Sequence, residues 1–223
     1  MSSDSNPISL PASRLEHVFG EIYRRGLWGS NSESSYYSGV GSHKPMIVDP
    51  YVEAVRSFVS NVLRDAHAVD LGCGDFNVGS KICDLFRQTI ACDIVSELLH
   101  QNKARFTDLS VEFVKLDIVH DRLPDGRVAF LRQVLQHLSN GSIIRVVDKL
   151  YSYQYIIITE HVPFDPSFKP NLDKSDGVDI RPDHGSGVVL TRAPFFLKIQ
   201  SEKMLCEVAD GIGLIRTIAY KLW

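Results

Sequence analysis

Residues suited to binding a nucleotide-like ligand are concentrated in the stretch AVDLGCGDFNVG, residues 68–79. Its apolar start predicts a buried strand, and Gly72 and Gly74 permit backbone angles and a close ligand approach that a β-carbon would obstruct. A polar residue after the turn could cap a helix that extends to about Phe86. The turn therefore predicts a ligand site, although glycines here would equally suit tight packing of a strand against a helix.

Three aspartates lie at or near the ends of predicted strands. Asp70 precedes the first glycine, Asp93 ends the strand QTIACD, and Asp117 ends the strand VEFVKLD. A carboxylate at Asp93 could accept both hydroxyls of a ribose, and Asp117 could accept a hydrogen bond from an adenine amino group. Each could also be an ordinary turn residue. Because ligands of open α/β sheets bind at the carboxyl ends of the strands, the three together favour a ligand site.

The elements that must position these residues alternate between short apolar runs and amphipathic stretches, which predicts β-α-β units and a mostly parallel sheet. Near the end of the chain, two apolar runs are joined by only Gly211-Ile212-Gly213, so the last two strands must pair antiparallel. The predicted strands are 68–71, 88–93, 111–117, 127–132, 154–159, 203–210 and 214–222, and the predicted helices are 14–25, 50–64, about 77–86, 95–106 and one starting at 139–142.

With these elements in place, the chain resembles the class I S-adenosylmethionine-dependent methyltransferases over about residues 68–160. DLGCGD resembles the first motif of that family, ACD the second, KLD the third, and LRQVLQHL the segment after the fourth strand. The resemblance implies a doubly wound, Rossmann-like, seven-stranded mixed sheet with a terminal antiparallel hairpin. It also implies that the cofactor is bordered by Asp70, Gly72 and Gly74 at its methionine part, by Asp93 at its ribose, by Asp117 at its adenine, and by Arg132 and Gln133 near its sulfonium.

The sequence departs from the commonest family pattern at the third glycine, where Asp75-Phe76-Asn77 stands instead. The resemblance then implies a helix slightly farther from the cofactor.

The flanking segments FGEIYRRGLWG, SGVGS and LTRAPFFL resemble parts of small bacterial methyltransferases of undefined substrate. This similarity implies that Trp28 and the loop from Ser38 to Ser42 close over the cofactor, with Ser42 among the cofactor-binding residues. It implies that Phe195-Phe196 line the acceptor pocket, although ordinary core packing fits that pair as well. The Gly- and Ser-rich segment 29–42 is accordingly either a linker or a lid.

Two histidines are candidates for a general base, because an imidazole has a suitable pKa for proton transfer near neutral pH. His137 follows the fourth predicted strand and His161 follows the fifth, so both could reach the ligand site. His137 could equally be a packed residue. The long segment 161–198 adds polar residues that could bind the acceptor or form salt bridges within a solvated loop, namely Asp165, Asp179, Arg181 and His184.

Composition restricts the partners. The formal net charge of −3 argues against nucleic acid as the main partner. No apolar run could span a membrane or serve as a secretory signal, so we expect a cytoplasmic protein. Four cysteines lack metal-type spacing, which favours reduced thiols and no metal site. We expect N-terminal helices and a lid over 1–66, and a methyltransferase domain over 67–223 with an acceptor-side insertion at about 161–198.

The expected function is S-adenosylmethionine-dependent methyl transfer to an oxygen or nitrogen of a small-molecule acceptor. A non-catalytic S-adenosylmethionine-binding regulator or subunit is the alternative. A nicotinamide-dependent oxidoreductase would also use the glycine turn and Asp93, but it leaves Asp117 and the terminal hairpin without a role. The sequence leaves the oligomeric state and the acceptor's identity open.

Overall fold

The structure is a computed structural model that describes residues 13–30 and 36–223. Its strands belong to one seven-stranded sheet in the order β3-β2-β1-β4-β5-β7-β6. The strands are β1 (His67–Leu71), β2 (Gln88–Asp93), β3 (Val111–Lys115), β4 (Val128–Arg132), β5 (Tyr155–Val162), β6 (Ser201–Ala209) and β7 (Leu214–Lys221). The α-helices are α1 (Arg14–Arg24), α2 (Pro45–Val62), α3 (Ser96–Arg105) and α4 (Asn140–Leu150).

The sheet has a parallel part and an antiparallel end. β1 to β5 run parallel to one another, whereas β7 pairs antiparallel with both β5 and β6. The short link that contains Gly211-Ile212-Gly213 forces this hairpin. The predicted fold class, a doubly wound mixed sheet with a terminal antiparallel hairpin, is confirmed.

Alternation along the strands divides the core between the two faces of the sheet. Val69 and Leu71 of β1 pack with α4 and with the segment 188–197, whereas Ala68 packs with α2 on the opposite face. Two helices begin at serine caps: Ser13 Oγ accepts from Glu16 N at the start of α1, and Ser139 Oγ accepts from Ser142 N at the start of α4. The carboxyl ends of the parallel strands lie together at one edge of the sheet.

The α-helix predicted between the glycine turn and Phe86 is wrong. Gly74 and Phe76 both have positive φ (+54° and +57°), so a right-handed helix cannot begin before Asn77. The Phe76 ring is fully buried between Phe106 and Phe113. The few residues left before β2 form two 3-10 turns, Gly79–Lys81 and Cys83–Leu85.

Two predicted boundaries shift by three residues or more. α2 begins at Pro45 instead of Pro50, because the buried residues Ile47 and Val48 extend its apolar face by a turn beyond the predicted start. β5 continues to Val162, three residues past its predicted end, because it stays paired with β7 over that distance.

Among the residues that the structure describes, no helix is both long enough and apolar enough to cross a membrane.

Candidate functional site

A cavity opens at the carboxyl ends of the parallel strands. One side, which we call the glycine-turn side, is formed by the turn after β1 and the ends of β2 and β3. The other, the tryptophan side, is formed by Trp28, residues 136–138, Val178 and Ile180. Of the residues predicted to bind the cofactor or to act as a general base, all but His161 line this cavity: Trp28, Ser42, Asp70, Gly72, Gly74, Asp93, Asp117, Arg132, Gln133 and His137.

The two glycines are required by close approaches in the folded chain. Gly72 has φ +81°, and a β-carbon on it would lie 2.6 Å from Val134 Cγ2. A β-carbon on Gly74 would overlap the hydroxyl of Ser38. At both positions only glycine combines the left-handed backbone with the available space.

Asp93 fixes the glycine turn to the start of α3. Its Oδ2 accepts a hydrogen bond from Gly74 N at 3.0 Å, and its Oδ1 accepts one from Val95 N at 3.1 Å. Burial raises the pKa of this carboxyl, and the backbone donors oppose that shift. Each oxygen still has a lone pair that could accept a hydrogen bond from a ligand.

Asp117 lies two residues beyond β3 and holds the next loop. Its Oδ1 accepts from Val119 N at 2.9 Å, and its Oδ2 is 2.9 Å from His120 Nδ1 and 3.3 Å from Ser13 Oγ. The carboxylate thus joins α1 to the strand edge. The adjacent residue Ile118 also lines the cavity.

Asp70 and Arg132 are the charged groups at the ends of the two central strands. Burial, with the neighbouring charge of Asp93, raises the pKa of Asp70 to about 7, and Arg132 opposes that shift. Arg132 Nη2 donates to Gly41 O at 2.7 Å and Nη1 donates to Ser42 Oγ at 3.2 Å. Arg132 therefore ties the loop before α2 to the strand ends.

Segment 36–43 packs directly on the glycine turn; residues 31–35 of the predicted linker or lid lie outside the described residues. Ser38 N donates to Asp75 Oδ2 at 3.0 Å, and Asp75 N donates to Ser38 Oγ at 2.8 Å. His43 Nε2 lies 2.6 Å from Asp75 Oδ2, and Asn77 Nδ2 donates to Ser42 O at 2.7 Å. The residues that replace the family's third glycine hold this segment in place.

His137 is buried on the tryptophan side, in a 3-10 turn (Leu135–His137) after β4. Its Nδ1 lies 3.2 Å from Gly177 O, and its ring centroid is 5.0 Å from that of Trp28. Burial, assisted by the positive charge of Lys174, lowers the pKa of His137 to about 4. The imidazole is therefore neutral at neutral pH.

The structure does not bring His161 to the cavity, in contrast to the prediction. His161 lies within β5 and is 2% exposed, and its Nε2 is 2.9 Å from Asp210 Oδ1 in the β6–β7 link. Burial lowers the pKa of His161, and Asp210 opposes that shift. The cause is the extra length of β5, which places this histidine in the sheet instead of in a loop beside the ligand site.

The other candidates for the acceptor pocket also lie elsewhere. Phe195 belongs to the main core, and Phe196 is 65% exposed. Arg181 is buried and donates to the backbone carbonyls of Leu172 and Leu138, so it anchors its segment instead of facing the cavity. Asp165, Asp179 and His184 are likewise absent from the cavity lining.

The sequence analysis missed two residues, Gln136 and Glu160. Gln136 is 4% exposed and lines the cavity beside His137. Glu160 lies behind it, where its two oxygens accept from Leu135 N and Gln136 N at 3.0 Å each. Burial raises the pKa of Glu160 to about 8. The signal that could have found Glu160 is a carboxylate two residues after the apolar run 156–158 of β5.

The glycine-turn side fits an adenosyl ligand. Gly72 and Gly74 bring backbone, without side chain, to the cavity, and the carboxylates of Asp93 and Asp117 lie at successive strand ends beside Ile94 and Ile118. Carboxylates there can accept hydroxyl and amino hydrogens, and the apolar residues can contact a base.

No protein-family model matches the chain, and no curated protein matches its sequence. Solved structures match its fold. The N-methyltransferase NodS from Bradyrhizobium japonicum WM9, in complex with S-adenosyl-L-homocysteine, has a TM-score of 0.67 at 9% identity, with 92% of this chain and 98% of that chain covered. Human N-acetylserotonin methyltransferase, in complex with S-adenosylmethionine, has a TM-score of 0.60 at 16% identity, covering 95% of this chain and 60% of that chain.

A third structure, the N-terminal domain of EvdMO1 in the presence of S-adenosyl-L-homocysteine and D-fucose, has a TM-score of 0.58 at 14% identity, with 91% of this chain and 96% of that chain covered. The fold is that of the class I S-adenosylmethionine-dependent methyltransferases, as the sequence motifs predicted.

Proposed function

We propose that the protein is an S-adenosylmethionine-dependent methyltransferase that acts on an oxygen or nitrogen of a small molecule. The observation that carries this proposal is the cavity. It joins a glycine-turn side suited to an adenosyl ligand with a tryptophan side, formed by Trp28, Gln136 and His137, that can receive a second molecule. The fold and the molecules bound in its structural neighbours support the choice of cofactor.

On this proposal, Gly72, Gly74, Asp93 and Asp117 hold the adenosyl part, and Asp70 lies near the methionine part. Bound S-adenosylmethionine supplies an electrophilic methyl group. The chain's own contribution is to align the acceptor and exclude water, which supplies several kcal/mol of barrier reduction. Trp28 and the segment 36–43 serve as the cover over the ligands.

We assign His137 a positioning role in preference to that of a general base. A group with a pKa of about 4 is a poor proton acceptor near neutral pH. Its ring nitrogens face Gly177 O and Gln136 Nε2, so the imidazole orients the neighbouring glutamine. His161 receives no role in this proposal, because its partner is Asp210.

The non-catalytic binder remains the competing function, and it requires a blocked acceptor side. The tryptophan side is open to the cavity, which favours catalysis, although His161, Arg181 and His184 do not line it as predicted. A nicotinamide-dependent oxidoreductase is disfavoured by the antiparallel β5-β7-β6 end of the sheet, which matches methyltransferase structures.

We further propose a cytoplasmic location, because all four cysteines are free thiols, as reducing compartments maintain them. The acidic net charge supports a small-molecule acceptor over nucleic acid. We also propose the two-part organisation, with residues 1–66 as the covering part and 67–223 as the methyltransferase domain that carries the acceptor-side insertion at about 161–198.

Isothermal titration with S-adenosyl-L-homocysteine tests the donor assignment. Asp93→Ala removes the acceptor of Gly74 N and the proposed ribose partner, so we expect affinity to fall by about tenfold or more. Asp148→Ala, at an exposed position in α4, is the control and should leave the affinity unchanged. Undiminished binding in Asp93→Ala would contradict the ribose role, and the absence of binding to the unmodified protein would contradict the proposed function.

A further inference from the structure

Two buried polar atoms on the tryptophan side have no hydrogen-bond partner within the described part of the chain. They are Trp28 Nε1, which can only donate, and Gln136 Oε1, which can only accept. Both residues line the cavity, and Gln136 is 4% exposed. Buried polar atoms are rarely left unpaired, because such an atom loses its hydrogen bonds to water without replacement. A pair of them on one cavity wall points to a ligand that supplies both partners.

The contacts of His137 fix which end of the Gln136 amide is free. His137 Nδ1 lies 3.2 Å from Gly177 O, and because a carbonyl can only accept, Nδ1 carries the proton. His137 Nε2 is then an acceptor, and it takes a hydrogen bond from Gln136 Nε2 at 3.3 Å. Gln136 Oε1 is left as the free acceptor.

The indole of Trp28 is held beside this pair. Its ring centroid lies 5.0 Å from that of His137, and Tyr23 packs edge-on against it at 4.9 Å. The free donor and the free acceptor thus border the cavity next to the same imidazole. A single ligand group that both donates and accepts can satisfy them together.

The tryptophan side offers no countercharge to an ionised ligand. The acidic residues that line the cavity, Asp70, Asp75, Asp93 and Asp117, all belong to the glycine-turn side or its contacts with segment 36–43. The cationic residue of the lining, Arg132, donates to Gly41 O and Ser42 Oγ of that segment and not to the tryptophan side. Lys174 donates to the carbonyls of His137 and Ser175, and His137 is neutral because burial lowers its pKa. An ammonium or a carboxylate would therefore be buried there without an opposite charge, and its desolvation would weaken binding considerably.

We infer that the tryptophan side binds a neutral hydroxyl group of the acceptor, an alcohol or a phenol, which donates to Gln136 Oε1 and accepts from Trp28 Nε1–H. This inference rests on the proposed function. An ammonium could not accept from Trp28, and a carboxylate could not donate to Gln136. A hydroxyl does both.

Small aromatic probes test this inference on protein saturated with S-adenosyl-L-homocysteine. Ligand-observed NMR titrations compare phenol with toluene, benzoate and benzylammonium. We expect phenol to bind at least about fivefold more tightly than each of the other three, because it alone satisfies both buried atoms. Trp28→Phe and Gln136→Met keep most of the side-chain volume but remove one partner each. Each should reduce the preference for phenol over toluene to within about twofold.

Matched controls are Trp223→Phe, at the exposed C-terminal residue, and Gln88→Met, at the opposite edge of the sheet. Both should retain the preference. All four variants should show a cooperative thermal unfolding transition, which shows that they are folded. Affinity for S-adenosyl-L-homocysteine should stay within about twofold in Gln136→Met and in both controls, which shows that the glycine-turn side is intact.

Three results would overturn the inference: phenol binding that is undetectable or no tighter than toluene, tighter binding of either charged probe, or a preference that survives in both test variants. Failure of the unmodified protein to bind S-adenosyl-L-homocysteine would instead contradict the proposed function.

Discussion

The two sides of the cavity are built differently. The glycine-turn side is formed by strand ends and the loops that directly follow them, and backbone hydrogen bonds to Asp93 and Asp117 hold it in shape. The tryptophan side is assembled from distant segments, with Trp28 after α1, Gln136 and His137 after β4, and Val178 and Ile180 in the segment between β5 and β6. A donor site fixed by the sheet can thus be combined with an acceptor site that changes with the loops.

Because the glycine-turn side depends on the sheet, we expect the largest loss of stability and of ligand affinity from a change in the glycine turn itself. Gly74→Ala places a β-carbon against Ser38 at a left-handed backbone, so we expect the free energy of unfolding to fall by about 2–4 kcal/mol and affinity for S-adenosyl-L-homocysteine by more than about tenfold. Thermal unfolding and calorimetric titration measure the two effects.

Gly185→Ala is the matched control, because Gly185 also has a positive φ (+63°) but has no atom near the position of a β-carbon. It should show only the backbone cost of about 1–2 kcal/mol and normal ligand binding. Equal losses in both variants would show that the contact with Ser38 is unimportant.

The next effect concerns Asp70, whose pKa is raised to about 7 by burial and the charge of Asp93. Because the folded state binds this proton more tightly than the unfolded state, the stabilisation is fully present below about pH 3.8 and is lost as pH rises through about 7. Asp70→Asn stays neutral, so its free energy of unfolding relative to the unmodified protein should rise by about 4 kcal/mol between pH 4 and pH 8.

Urea unfolding across that pH range measures this difference. Asp49→Asn, at an exposed position in α2, is the control for the loss of one carboxylate. A flat profile for Asp70→Asn would mean that the Asp70 carboxyl is not desolvated.

A smaller effect is expected where segment 36–43 meets the glycine turn. Asp75→Asn weakens the contacts of Oδ2 with Ser38 N and His43 Nε2, so the segment should open more often. Hydrogen exchange of residues 36–43 should accelerate several-fold, and S-adenosyl-L-homocysteine should dissociate several-fold faster.

Asp84→Asn supplies the comparison for that experiment, because its carboxylate pairs with Arg56 on the surface. Exchange in segment 36–43 should be normal there. If hydrogen exchange of segment 36–43 is also normal in Asp75→Asn, then Asp75 does not hold that segment in place.

The smallest effect on the site is expected from His161→Ala. Loss of the contact with Asp210 should lower the free energy of unfolding by about 1–2 kcal/mol, while affinity for S-adenosyl-L-homocysteine stays within about twofold. Asp210→Ala should destabilise the protein at least as much, because Asp210 Oδ1 also accepts from Ile212 N and Gly213 N. A clear loss of affinity for S-adenosyl-L-homocysteine in His161→Ala would show that this residue contributes to the ligand site.

The sequence predicted the two sides unequally, for physical reasons. The sheet and its hairpin follow from periodicity and from a link too short for a parallel connection, and the glycine-turn residues follow from their positions at strand ends. The replacement of the predicted helix after the turn by two 3-10 turns could not be foreseen, because the positive φ of Phe76 accompanies its burial between Phe106 and Phe113. Nor could the position of His161, which depends on how far β5 stays paired with β7.

The tryptophan side was predicted least completely. Trp28 and His137 were identified, whereas Gln136 received no role within the segment LRQVLQHL and became visible only through its unpaired oxygen in the fold. Long-range contacts, such as that of His137 with Gly177, create this side, and local sequence patterns do not report them.

A crystal structure of the complex with S-adenosyl-L-homocysteine tests the central claim most directly. We predict that the ligand occupies the cavity with its ribose at Asp93, its adenine between Asp117 and Ile118, and its sulfur facing the tryptophan side. Density for the ligand elsewhere, or none in the cavity from crystals grown at saturating concentration, would contradict the assignment of the glycine-turn side as the donor site.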